Sequence, residues 1–221
     1  MVLAWHFLQS DERLRFGRRS KVYVGQTMRR DPEKLELCNY GLHASVRPID
    51  ALKYAPGPVV CRVRLGGTII EDTNKCVASR RTVLWMANAE RELRLFACWC
   101  VRNTPLHDGR KVWDLLTDKR SRAAVEVAER HADGLATDDE LAAAGAAARA
   151  ALRAADRDAL RDADRDAFRA AAWAADRDAA GAAAGAAAGA AAWAADRDAA
   201  GEAQNARLEE VLEAMIKRSP Q

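Results

Sequence analysis

The chain has five cysteines but no Cys-x-x-Cys pair, and that spacing is what most small zinc sites and dithiol redox motifs require. Cys98 and Cys100 form a Cys-x-Cys, but on a helix two residues apart is about 200°, too far round to grip one metal ion. No metal site is expected. The cysteine count is odd and no signal peptide is recognisable, so the expectation is a reduced chain in the cytoplasm. Signatures of a DNA-recognition helix or an RNA-binding module are also missing. The uncharged run Ala179–Ala195 is alanine and glycine with a single Trp193, too short and too weakly apolar to predict a membrane span.

Large apolar side chains are scarce in the last third. Beyond residue 140 they are chiefly Leu152, Leu160, Phe168, Trp173, Trp193 and the Leu208–Ile216 segment. The stretches Val59–Leu65 and Thr82–Val101 are the candidate core. Charge is divided too. Residues 1–118 carry seven more bases than acids, and residues 119–221 four more acids than bases. The composition predicts two unlike pieces in an α+β chain. A small mixed-sheet domain with one or two helices spans 1–87, and an Ala-rich antiparallel helical array spans 88–221.

In the front piece Val2–Leu8 reads as a strand, as do Lys21–Gly25, Leu35–Cys38, Val59–Leu65 with Thr68–Ile70 beyond a Gly66-Gly67 bulge, and Lys75–Ala78. Pro48 suits the first turn of a helix over Ile49–Ala55, with Ser45 as its cap. Behind it, Ala87–Arg102 and Ser121–Ala132 read as helices, Gly134 as a helix stop, and Thr137-Asp-Asp-Glu140 as a capping box. Asp-Arg-Asp occurs at 156–158, 164–166, 176–178 and 196–198, and Ala170–Gly181 is identical to Ala190–Gly201. Gly181, Gly185 and Gly189 each cost about 1 kcal/mol in a helix relative to Ala, which predicts a break there. Packing, or self-association, through Ala and Gly faces is expected of these helices.

Three resemblances bear on function. The Trp5-His-Phe opening, the run Cys38-Asn-Tyr-Gly-Leu-His-Ala-Ser45 and the helix Asp50-Ala-Leu-Lys-Tyr-Ala55 resemble an uncharacterised domain family of phages and bacteria, over residues 1–100. The run Glu92–Cys100, the segment Val112–Gly134 and the alanine-rich helices are similar to helical immunity proteins of bacterial toxin systems. These likenesses imply a non-enzymatic, cytoplasmic interaction module, a toxin-immunity or phage-associated accessory protein, whose partner is a protein such as a co-encoded toxin, bound through the helical half or the junction around Trp99 and Trp113, with no cofactor.

The alternative rests on His6, His43 and Ser45. A strand ending in Gly-Leu-His-Ala-Ser before a helix looks like ADP-ribosyl-transferase-like folds. By that likeness His6, His43 and Ser45 would be the catalytic candidates and NAD the cofactor, with Arg47 or Arg62 holding pyrophosphate; no catalytic acid stands at an evident place, and Glu71, Glu90 and Glu92 are candidates only by being acidic. The reading requires His6, His43 and Ser45 to share one concavity. A third reading, phosphate-backbone binding, rests on Arg13, Arg15, Arg18, Arg19 and Lys21 around Phe16, joined by Arg29, Arg30, Arg80 and Arg81. Acids interspersed among them favour a solvated charged rim over a nucleic-acid partner.

Overall fold

The computed structural model describes residues 1–15, 20–106, 108–157, 162–176, 178–191 and 197–219. The class is α+β. The chain divides into two compact units, Met1–Ala89 with Glu209–Gln221, and Glu90–Leu208. The piece read as 88–221 thus gives its last residues to the β-rich unit.

The β-rich unit is built on β1 (Val2–Leu8), β2 (Thr27–Arg29), β3 (Leu42–Ala44), β4 (Val59–Glu71) and β5 (Cys76–Asn88), with the short helix α1 (Pro48–Leu52). Every strand pairing is antiparallel, in the order β1-β4-β5-β2, with β3 also on β5. The long hairpin β4–β5 is the spine. Its register shifts between Gly66 and Ile69, at the glycine pair that the sequence marks as a bulge.

Trp5 gives neither its N–H nor its carbonyl to β4. Its N–H donates to the Ser45 carbonyl at 2.7 Å and its carbonyl accepts from the Ser45 N–H at 3.0 Å. Since β3 is paired to β5, this one bridge curls the sheet back towards its own first strand. The inner face holds Ala4, Leu8, Ala44, Cys61, Val63 and Val83.

Three local expectations give way. Lys21–Gly25 makes a single bridge, Lys21 to Arg13, and then turns at Val24–Gly25, where Gly25 sits at φ +83° and the Gln26 side chain accepts from the Tyr23 N–H at 3.1 Å. Leu35–Cys38 makes a single bridge between Glu36 and Tyr40. α1 begins after Arg47 with no side-chain cap, so Ser45 does not cap it.

In the helical unit α2 (Glu90–Asn103) buries Leu93, Phe96, Ala97 and Val101. Around it pack α4 (Lys119–Ala132), α6 (Asp162–Ala174) and α7 (Ala179–Ala191), while α5 (Asp138–Arg157) lies between α4 and α6. The short α3 (Val112–Leu115) joins them, and α8 (Arg197–Arg218) runs from this unit into the β-rich one. No helix among the described residues is long and apolar enough to cross a membrane.

The Thr137 box is present. Glu140 accepts from the Thr137 N–H at 2.7 Å, and Thr137 Oγ1 accepts from the Glu140 N–H at 3.2 Å. Thr137→Ala is expected to cost about 1 kcal/mol in a denaturant melt.

The predicted break at the glycines is overturned, since α7 runs straight through Gly181 and Gly185. Instead α6 ends at Ala174 and α7 begins at Ala179, where Asp178 Oδ1 accepts from the Ala180 N–H at 3.1 Å. The Asp-Arg-Asp that ends at Asp178 recurs at 164–166, inside α6. Asp-Arg-Asp is therefore a cap in one setting and helix interior in another.

At Gly185 the packing leaves no room for a side chain. A Cβ there would stand 2.7 Å from the Trp173 ring. Gly185→Ala is expected to destabilise by about 1–3 kcal/mol despite alanine's better helix propensity. At Gly201 a Cβ would meet nothing within 4 Å. Gly201→Ala is expected to stabilise by up to about 1 kcal/mol. Paired thermal melts of the two variants check both signs.

Candidate functional site

Where the curled sheet meets the loop before β3 there is a cavity of about 560 Å³. That volume is in the range of small-molecule sites. β1 supplies Trp5, His6 and Phe7, and the β3 segment supplies His43, Ala44 and Ser45. His6 on β1, His43 on β3 and Ser45 just beyond β3 therefore line one cavity. Arg47 and Arg62 are not in its wall. Arg47 lies 3.9 Å from Asp50, and Arg62 stacks over the Trp5 ring at 4.3 Å and approaches Glu213 at 3.8 Å. Glu71, Glu90 and Glu92 do not line it either.

The positive charge in the wall comes from Arg15, Arg30, Lys75 and Arg81. No aspartate or glutamate is among the described residues lining the cavity. Of the basic loop, Arg13 pairs with Asp11 at 3.8 Å and Lys21 with Glu12 at 3.3 Å, while Arg18 and Arg19 lie outside the described residues. Among the described residues of that loop, Arg15 reaches the cavity wall and Arg13 and Lys21 do not.

Arg81 is the most unusual of these side chains. It is 2% exposed. Its Nη1 donates to the His43 carbonyl at 2.6 Å and its Nη2 reaches Met28 Sδ at 4.0 Å. Its Nε has no partner, and no carboxylate pairs with it among the described residues. Burial brings its pKa down to about 10, so it remains a cation at neutral pH. A buried charge without a counter-ion is costly, by several kcal/mol as a rule of thumb.

The histidines yield to that cation. Burial, then the Arg81 charge, then His43 hold His6 well below its ordinary value. Burial, then Arg81 and Lys75, lower His43. His43 Nε2 accepts from the Cys38 N–H at 3.1 Å, which fits a neutral ring with its proton on Nδ1. Trp5 adds a further donor. It is fully buried, and its Nε1–H has no partner.

Gly41 fixes the loop that carries Cys38 and Asn39 to the rim. Its φ is +136°, and a Cβ would lie 2.1 Å from Val77 Cγ2. Gly41 separates His43 from Cys38 by a tight turn that only glycine makes here.

Sequence reasoning found His6, His43 and Ser45 and grouped Arg30 and Arg81 only as general basic residues. It did not single out Lys75, Cys38 or Trp5 as site residues. An arginine at an inward position of a strand between Ala78 and Val83 is the signal that marks Arg81.

No curated protein and no solved structure matches the chain. Residues 3–94, which contain the whole described cavity wall, match the family described as Domain of unknown function (DUF7666).

Proposed function

We propose that the β-rich unit binds a phosphate-bearing small molecule of the nucleotide class in this cavity. The observation that carries the reading is Arg81: a buried guanidinium with no carboxylate partner among the described residues, in a wall that has cations and no acids. An anion entering there meets charge already stripped of water, and supplies the missing counter-ion. Phe7, Leu14, Leu42, Ala51 and Pro56 give the cavity an apolar side, which suits a ligand with a flat organic group beside its phosphates.

The ADP-ribosyl-transfer reading shares the binding half of this proposal. Its acid would have to come from outside the described cavity wall, so the proposal concerns binding alone. The protein-interaction reading has less to stand on. Trp99 stacks on Phe96, Trp113 lies under Arg102 and Arg122, and Leu135 is the one large apolar side chain of the described helical unit that is strongly exposed.

The test is calorimetric titration of the full chain with pyrophosphate, ADP and NAD. Binding that raises the melting temperature and weakens with added salt is expected. Failure of all three to bind at millimolar concentration overturns the reading.

A further inference from the structure

Cys38 stands apart from the other four cysteines. Cys61, Cys76, Cys98 and Cys100 are buried, and Cys38 is exposed. Burial pushes the Cys61 and Cys98 thiols up to about 12 and raises those of Cys76 and Cys100, so those sulfurs stay protonated and inert. Cys38 lies in the cavity wall, with its backbone at φ +67° and its N–H held by His43 Nε2. Its sulfur is 2.8 Å from Lys75 Nζ. Lys75 is itself held over the Tyr54 ring at 5.4 Å, and Tyr54 Oη donates to Asn74 Oδ1 at 3.0 Å. Negative charge developing on this sulfur therefore meets an ammonium already in place. The buried, unpartnered Trp5 Nε1–H and Arg81 Nε in the same wall are independent signs that a ligand belongs beside it.

We propose that Cys38 is a nucleophile of this cavity, placed to form a bond to an electrophilic carbon of an anionic ligand. The inference rests on the cavity being an anion site, as argued above. The step balances simply. The thiol proton leaves to solvent, the sulfur lone pair forms the S–C bond, and the leaving group departs with the electrons of the bond it breaks. Lys75 stays protonated throughout, with its ammonium 2.8 Å from the sulfur as the bond forms.

The experiment uses two alkylating probes on the full chain, iodoacetate and neutral iodoacetamide, with the modified cysteine located by mass spectrometry. In each case an S–CH2 bond forms and iodide leaves. Glutathione, which has no such cations around its sulfur, sets the reference ratio of the two rates. At Cys38 the ratio is expected to shift towards iodoacetate by about ten-fold or more. Lys75→Met should slow the alkylation of Cys38 by about ten-fold, and Lys75→Arg should restore much of it. Pyrophosphate should protect Cys38 from both probes.

A Cys38 that reacts like glutathione with both probes, and is indifferent to Lys75→Met, overturns the inference. Pyrophosphate titration of Cys38→Ser separates the two proposals. If that variant binds pyrophosphate while wild-type Cys38 is unreactive, the anion site stands and the nucleophile falls. Lys75-dependent alkylation that pyrophosphate does not protect, in a chain that binds no pyrophosphate, removes the anionic ligand from the inference and overturns it in the form stated.

Discussion

Arg81→Met is expected to abolish pyrophosphate binding while leaving the fold about as stable as before. Two opposing terms decide the stability. Methionine loses the hydrogen bond from a charged donor to the His43 carbonyl, worth about 1.5–3 kcal/mol net. It also removes a buried charge that has no carboxylate partner among the described residues, and replacing buried ionic groups with apolar ones of similar size is often neutral to stabilising by about 1–4 kcal/mol. The two terms are of similar size, and Met28 beside it is a compatible neighbour for the new side chain. For binding there is no such offset. A desolvated charge-assisted contact is worth roughly 2–5 kcal/mol, so affinity should fall by a factor on the order of a hundred to a thousand. A thermal melt and a calorimetric titration of the same sample check both halves. Undiminished binding in Arg81→Met would remove the observation on which the function rests. A melting point far below wild type would show that the guanidinium is a structural group whose cost is met within the fold.

Acid should destabilise the protein well above the range in which carboxylates titrate. His6 has its folded pKa held well below 6.5 by burial and by Arg81. Between that depressed value and 6.5 the unfolded chain takes up a proton that the folded chain refuses. Stability therefore rises with pH across this window, is complete above about 6.5, and is lost as pH falls below it. At pH 5 the unfolded chain has taken up the proton that His6 refuses in the fold, so the loss from His6 is expected to show there. His43 adds a loss of the same sign. Asp118 and Glu140, whose pKa values are lowered by their hydrogen bonds, lose their contribution only as pH falls below the ordinary carboxylate range. Denaturant melts at pH 7, 6 and 5 isolate the histidines, and His6→Gln should flatten the profile. A wild-type stability that is level from pH 7 to 5 would contradict the burial of a neutral His6. A bound anion should reverse the trend at the site itself. Phosphate oxygens near His6 and His43 favour their protonated forms, so pyrophosphate should bind with uptake of protons.

The sequence announced those parts of the fold whose cause is local. Alternation made Val2–Leu8 a strand, Gly66-Gly67 marked the bulge, and Thr137 with Glu140 began a helix. The misses have non-local causes. β5 continues to Asn88 because β4 pairs with it along most of its length, although Arg80 and Arg81 interrupt its apolar pattern. α7 passes through glycines because Trp173 needs the space beside Gly185. In the site, His6 and His43 stood out as rare residue types at strand ends. Arg81 did not stand out among 35 lysines and arginines, because only the fold shows which of them is buried without a carboxylate. Cys38 was equally silent, since its distinction lies in Lys75, which comes from the β4–β5 turn.

The β-rich unit is made of two stretches of chain, Met1–Ala89 and Glu209–Gln221. Within it Arg62, which covers the Trp5 ring, approaches Glu213, and the Trp85 indole N–H donates to Ser219 Oγ at 2.9 Å. This arrangement sets an order of events on the ribosome. Synthesis proceeds from the N-terminus, so the strands emerge long before the segment that finishes their unit. The whole helical unit must be made in between. The cavity domain is thus assembled late, and a nascent chain that stalls or is cut within the alanine repeats would carry all of the described cavity-wall residues without the helix end that completes their unit.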